Sequence, residues 1–131
     1  MSGKLILVIE DNEKNMKLVR DLLQYEGYEI LGTDTAEEGL RLAEEHIPAL
    51  ILMDIGLPGM SGFEALKRLR ASSATAGIPV IAVTASVMTQ DHQKITEAGF
   101  DGYQRKPIDI DEFLEAVRGT IERSGGERST E

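Results

Sequence analysis

The chain has 131 residues, 23 Asp and Glu against 14 Lys and Arg, a net charge of −9 and no cysteine. That length holds one packed domain, the acidic excess repels nucleic-acid phosphates and anionic membrane surfaces at long range, and the missing thiols remove disulfides and thiolate metal sites. Nothing approaches the roughly 20 apolar residues of a spanning helix, and LILVI at 5–9 is too short for a signal-peptide core and runs into acids, so a soluble, cytoplasmic protein is expected.

LILVI reads as the first strand and stops on Glu10 and Asp11. Met16, Val19, Leu22 and Leu23 then recur at helical spacing, and Gly27 suits the end of that helix. YEILG at 28–32 is a more polar strand, followed by Thr35 with Glu38, a capping pair that opens a second helix. ALILM at 49–53 is an apolar strand that ends against the carboxylate of Asp54. The loop behind it carries Gly56, Pro58 and Gly59; Pro58 and Gly62 read as loop formers, and Ser61 with Glu64 starts the third helix. PVIAV at 79–83 is the fourth strand, with Thr84 at its end. The stretch 89–98 has the weakest apolar face, with Ile95 and Ala98 as its inward residues, so it is expected to be the most mobile helix, ending at Gly99. DGYQ at 101–104 is the fifth strand, Lys106-Pro107 follows, and Asp109 with Glu112 opens the last helix. SGGERSTE lacks periodicity, which divides the chain into a domain at 1–123 and a disordered tail at 124–131.

Strict alternation of strand and helix predicts a doubly wound α/β fold, a five-stranded parallel sheet flanked by five helices. The continuous apolar runs are the first, third and fourth, so these are central and the other two are edges. That gives strand order 2-1-3-4-5, with ligands bound outside the carboxyl ends of the strands at the switch point between the first and third.

Glu10, Asp11, Asp54, Thr84 and Lys106 collect at that edge. Any one acid there can be a helix cap or a loop residue. As a set they are harder to explain so, because two carboxylates about 4 Å apart repel by roughly 4 kcal/mol at an effective dielectric near 20. Protonation or a cation must relieve them, and with oxygen ligands alone a hard cation such as Mg²⁺ is favoured. A strand-end carboxylate of this kind can attack phosphorus to form an aspartyl phosphate, with Lys106 and the metal supplying positive charge to the transferring oxygens. EDNEKN places acids where dinucleotide and nucleotide loops need glycines. A haloacid-dehalogenase-type phosphatase would pair its nucleophile with a second Asp two residues on, where this chain has Gly56.

VIEDN, LMDIGLPGMSG, VTA and RKPID, in this order and spacing, make the chain resemble the receiver domains of bacterial response regulators over nearly its whole length. The resemblance implies a flavodoxin-like fold and a switch phosphorylated on Asp54 by the phosphohistidine of a histidine kinase or histidine phosphotransfer protein. It implies Mg²⁺ held by Asp11, Asp54 and the backbone carbonyl of Gly56, with Glu10 acting through water. Thr84 and Lys106 would contact the phosphoryl group, Tyr103 would be the aromatic switch, the Lys106–Pro107 bond would be cis, and Gly56 and Ser86 would tune phosphoryl lifetime. The output face implied is the fourth helix, fifth strand and fifth helix, with a protein target, no nucleic acid and no membrane, and a monomer or weak phosphorylation-dependent dimer. EDNEKNMKL, with no DNA-binding segment after Glu122, is most similar to stand-alone receivers of phosphorelays, including those of cell-cycle control, and to receivers of hybrid kinases.

Plainer readings stand beside these. Thr84 can be an ordinary β-branched strand residue, Tyr103 the cover of an edge strand, and Lys106 a solvated charge. His46 and His92 read as ordinary surface residues, and Met60 and Met88 as packing. A constitutive scaffold that is never phosphorylated is opposed by the intact set Asp11, Asp54, Thr84 and Lys106. A phosphatase acting on external substrates is opposed by Gly56.

Overall fold

Unbroken apolar runs bury the three central strands of the computed structural model, which describes residues 4–57, 59–85 and 89–129. The expectations for Pro58, Ser86 and Met88 lie outside those residues. β1 (Leu5–Ile9), β3 (Leu50–Asp54) and β4 (Val80–Thr84) are buried along nearly their whole length, while β2 (Glu29–Thr33) and β5 (Gly102–Arg105) are half-exposed edges. All pairs are parallel, in the order β2-β1-β3-β4-β5. The last four strands each begin one residue later than their apolar runs suggest, so Asp54 and Thr84 are the final residues of β3 and β4. The ladder carries pairing past the apolar stretch: Asp54 is in register with Val83, and the Ile55 N–H donates to the Val83 carbonyl at 3.1 Å.

The helices alternate with the strands as α1 (Glu13–Tyr25), α2 (Ala36–His46), α3 (Gly62–Ala71), α4 (Thr89–Ala98) and α5 (Ile110–Ser129). Because side chains alternate along each strand, the sheet has a core on either face. Leu7, Ile51, Met53 and Ala82 pack with Leu66 and Ile95 on one side, and Ile6, Leu50, Leu52 and Ile81 pack with Leu23 and Phe113 on the other.

The expected caps form. The Glu38, Glu64 and Glu112 N–H groups donate to the side chains of Thr35, Ser61 and Asp109 at 3.2, 3.1 and 3.0 Å, and Gly27 and Gly99 take φ values of 99° and 104°. Asn12, whose side chain accepts from the Asn15 N–H at 3.0 Å, caps α1. Ile47 ends α2 at φ 45°, a left-handed position where glycine is usual. Ala98 is exposed, and Ile95 is the buried side chain among those described on α4. α5 continues as helix to Ser129, past the boundary that composition sets at Ser124, with no proline to break it. At the edge of the sheet opposite the acids, Arg70 donates to the Ile78 carbonyl at 2.7 Å and to Asp101 at 3.0 Å, and Asp101 accepts the Val80 N–H at 2.7 Å.

Candidate functional site

β1, β3, β4 and β5 each deliver a polar group to the carboxyl edge of the sheet. Glu10 follows β1 with its N–H on the Thr33 carbonyl at 3.0 Å, and Asp54 closes β3. These two carboxylates are only 5% and 6% exposed, so their charges need protein partners rather than bulk water. Lys106, just after β5, supplies one. Its Nζ lies 2.8 Å from Asp54 Oδ2 and 3.1 and 3.2 Å from Glu10 Oε1 and Oε2. Asp54 Oδ1 accepts the Gly56 N–H at 2.8 Å, and Glu10 Oε2 accepts the Asn12 N–H at 3.1 Å. The Lys106 backbone N–H donates to the Thr84 carbonyl at 2.8 Å, and the Lys106–Pro107 bond is cis.

One ammonium thus serves two buried carboxylates. Burial pushes the Glu10 carboxyl above its ordinary range; the Asn12 N–H and Lys106 oppose this, and the Asp54 charge adds to it. Burial also works against the Lys106 charge, but hydrogen bonds and attraction to Asp54 and Glu10 outweigh it and hold the ammonium above its ordinary value.

Asp11 is exposed and completes the acidic group. One oxygen each from Glu10, Asp11 and Asp54 lie within 4.8 Å of one another. Three carboxylate oxygens, with one lysine among them, leave an excess of negative charge and no soft donor. That donor set fits a hard divalent cation that keeps some of its waters, as Mg²⁺ does. Gly56 sits in the turn directly behind Asp54, and a Cβ added there would stand 3.5 Å from Asp54 Oδ1, so whatever occupies this position faces the carboxylate. Beside α1 the site opens into a polar cleft that Asp11, Lys17, Arg20, Thr33 and Asp34 help to line.

Thr84 is 4% exposed and lies one residue beyond the level of Asp54 on the neighbouring strand. Strand alternation places it on the same face as Ala82, whose register partner is Tyr103. Thr84 therefore belongs at once to the acidic edge and to the face covered by α4. Tyr103 is 37% exposed and stacks on His92 of α4, with ring centroids 4.4 Å apart and planes at 27°.

This contact corrects the reading of His92 as an ordinary surface residue: it is half-buried and packed. The signal was its place three residues before Ile95, on the inward face of α4. His46 is exposed beside Glu45, as expected, and Met60 packs against the α2–α3–α4 core. Gly62 is the first residue of α3 rather than a loop residue, and an added Cβ would meet Ile55 Cγ2 at 2.7 Å and its Cα at 2.9 Å.

Comparison with known proteins agrees with this geometry. The profile of the response regulator receiver domain family matches residues 6–118. The polar-differentiation response regulator DivK of Brucella ovis is 47% identical over 118 residues, which span 90% of this chain and 96% of that protein. A CheY-like response regulator receiver domain protein from Methanospirillum hungatei JF-1 aligns with a TM-score of 0.86 at 31% identity, covering 95% of this chain and 98% of that one. The receiver domain of a sensor histidine kinase from Pseudomonas aeruginosa PAO1, solved with a magnesium ion coordinated in its active site cleft, aligns with a TM-score of 0.85 at 30% identity, covering 92% and 98%.

Proposed function

The chain belongs to the response regulator receiver domain family, and on that premise we propose that residues 1–123 take a phosphoryl group onto Asp54 from the phosphohistidine of a histidine kinase or histidine phosphotransfer protein. A receiver domain is a phosphoacceptor switch, and receiver domains bind Mg²⁺ at an acidic pocket. In this chain Asp11, Asp54 and the backbone carbonyl of Gly56 would hold the ion, with Glu10 acting through water. When bound, the ion neutralises the acidic group and the incoming phosphoryl charge.

The observation that carries the reading is Asp54 itself: a buried carboxylate at the end of a central strand, 2.8 Å from Lys106 Nζ and flanked by two further acids. A carboxylate oxygen of Asp54 attacks phosphorus, the P–N bond to the donor imidazole breaks, and the electron pair leaves with the imidazole nitrogen. Lys106 is within reach to neutralise charge on the transferring oxygens, and Thr84 borders the same edge. The domain thus assists its own phosphotransfer and dephosphorylation without being an enzyme acting on a separate substrate.

The output of this proposal is a protein target bound through α4, β5 and α5, with no nucleic acid or membrane partner, by a cytoplasmic protein that is a monomer or a weak phosphorylation-dependent dimer. No described helix is long and apolar enough to cross a membrane. Similarity to a polar-differentiation response regulator over nearly its full length supports a phosphorelay of the cell-cycle type.

Intact-mass spectrometry after incubation with acetyl phosphate and Mg²⁺ tests the site. One phosphoryl adduct is expected on the native chain and none on Asp54→Asn, whose circular dichroism should match the native protein. An undiminished adduct on that variant would place the phosphoryl group elsewhere.

A further inference from the structure

We infer that His92 is a positioning residue for the switch: its imidazole holds Tyr103 in the resting position and ties the movement of that tyrosine to the seating of α4. The inference rests on the reading of Asp54 as phosphoacceptor and of Tyr103 as the residue that responds.

Among the described side chains of α4, one is buried and most are exposed. Ile95 is buried against the α2–α3–α4 core, while Gln90, Gln93, Lys94, Thr96, Glu97 and Ala98 are exposed. His92 precedes Ile95 by three residues and so extends the same inward face by one turn. It meets Tyr103 nearly face to face, centroids 4.4 Å apart and planes inclined by 27°. The two rings thus form a contact between α4 and β5 on the strand face that Thr84 shares. Gln93, Thr96 and Glu97 line the groove beside the stack.

That placement makes the stack a coupling element. If Tyr103 turns inward when Thr84 engages the phosphoryl group, it must leave the imidazole, and α4 loses this ring contact with the sheet in the same step. If α4 shifts first, for instance on binding a partner, Tyr103 loses the ring that holds it outward. An aromatic pair of this kind shifts a two-position equilibrium by about three- to tenfold, enough to bias the switch without locking it.

The test reads Tyr103 directly, by NMR of protein with isotopically labelled tyrosine, before and after phosphorylation with acetyl phosphate and Mg²⁺. His92→Ala should move the Tyr103 ring resonances of the unphosphorylated protein toward their phosphorylated positions, corresponding to about a three- to tenfold gain in the inward population. His92→Phe, which keeps a ring face, should restore the native spectrum. His92→Leu, which fills space without one, should not. Each of the four proteins should still form one adduct on Asp54, followed by mass, which shows that the phosphoacceptor site is intact in all of them.

Unmoved Tyr103 resonances in His92→Ala, or rescue by Leu equal to that by Phe, would overturn the positioning role while leaving the phosphoacceptor reading intact. Absence of any adduct on Asp54 in the native protein would remove the reading on which the inference rests, and the inference with it.

Discussion

Glu10 and Asp54 are both buried carboxylates that share Lys106. Burial raises the Glu10 pKa despite the lysine, so its charge opposes folding when no cation is bound. A group whose folded pKa is raised contributes stability below its unfolded pKa and loses it as pH rises through the folded value. Glu10→Gln keeps the acceptor oxygen and removes the charge. In EDTA at neutral pH it should melt a few degrees above the native protein, on the order of 1 kcal/mol. The gap should narrow as pH falls toward the ordinary value of 4.5. The variant should also gain less stability from added Mg²⁺ than the native chain does. A lower melting temperature in EDTA would mean that Glu10 is held by its charge rather than in spite of it. Gly56 acts on the other carboxylate. A side chain there would begin 3.5 Å from Asp54 Oδ1, close enough to position a water for attack on a phosphoryl group, whereas glycine positions none. The native adduct should therefore persist for many minutes, and Gly56→Asn should shorten its lifetime by about tenfold, well short of the larger factors of full general-base catalysis. Adduct decay followed by mass spectrometry measures both; equal lifetimes would remove Gly56 from this role.

At the scale of elements, close packing around the β3–α3 turn holds Asp54 in place. Gly62 starts α3 against Ile55, the residue after Asp54, and an added Cβ would meet its Cβ at 3.0 Å and its Cα at 2.9 Å. A helical Gly→Ala change is ordinarily favourable by about 1 kcal/mol. Here the clash is with backbone, which cannot rotate aside, so Gly62→Ala should destabilise by about 1–3 kcal/mol in urea unfolding and slow phosphorylation through displacement of Asp54. A stabilised variant with native phosphorylation would show the turn to be loose. From sequence, Gly62 looks like a loop residue because the turn around it is rich in glycine. Only the three-dimensional approach of α3 to Ile55 reveals the constraint. The same distinction runs through the chain. β1, β3 and β4 were legible because strands covered on both faces must be apolar throughout, and the caps at Thr35, Ser61 and Asp109 because their partners lie three residues away. The end of α2 was not, since Ile47 occupies a left-handed position that its type disfavours. The His92–Tyr103 stack joins residues on different elements, and no local pattern announces it.

Across the whole molecule, the site and the proposed output face meet through β4 and β5. Asp54, Glu10 and Lys106 form a compact charged group at the carboxyl edge, while Thr84 shares that edge and the α4 face of the sheet. The convergence of four strand ends was legible from the alternation of strands and helices, yet the sharing of one ammonium between two buried acids depends on where Lys106 points, which spacing does not encode. On the proposed reading, accepting a phosphoryl group and reporting it fall to different residues. Thr84→Ala removes a hydroxyl from the path to Tyr103 without touching the Asp54 carboxylate or its contacts with Lys106 and Gly56. A hydrogen bond from a hydroxyl to a charged phosphoryl oxygen is worth about 1.5–3 kcal/mol, which is a shift of roughly 10- to 100-fold between two global states. Thr84→Ala should therefore still form the Asp54 adduct, but the ratio of partner affinities between phosphorylated and unphosphorylated forms, measured by calorimetry, should fall by about that factor. Tyr103→Ala should lower the same ratio without affecting adduct formation. If both variants kept the native ratio, the signal would have to leave Asp54 by the other side of the sheet, through the α1 and α5 contacts with β1 and β3, and the β4–β5 route would be wrong.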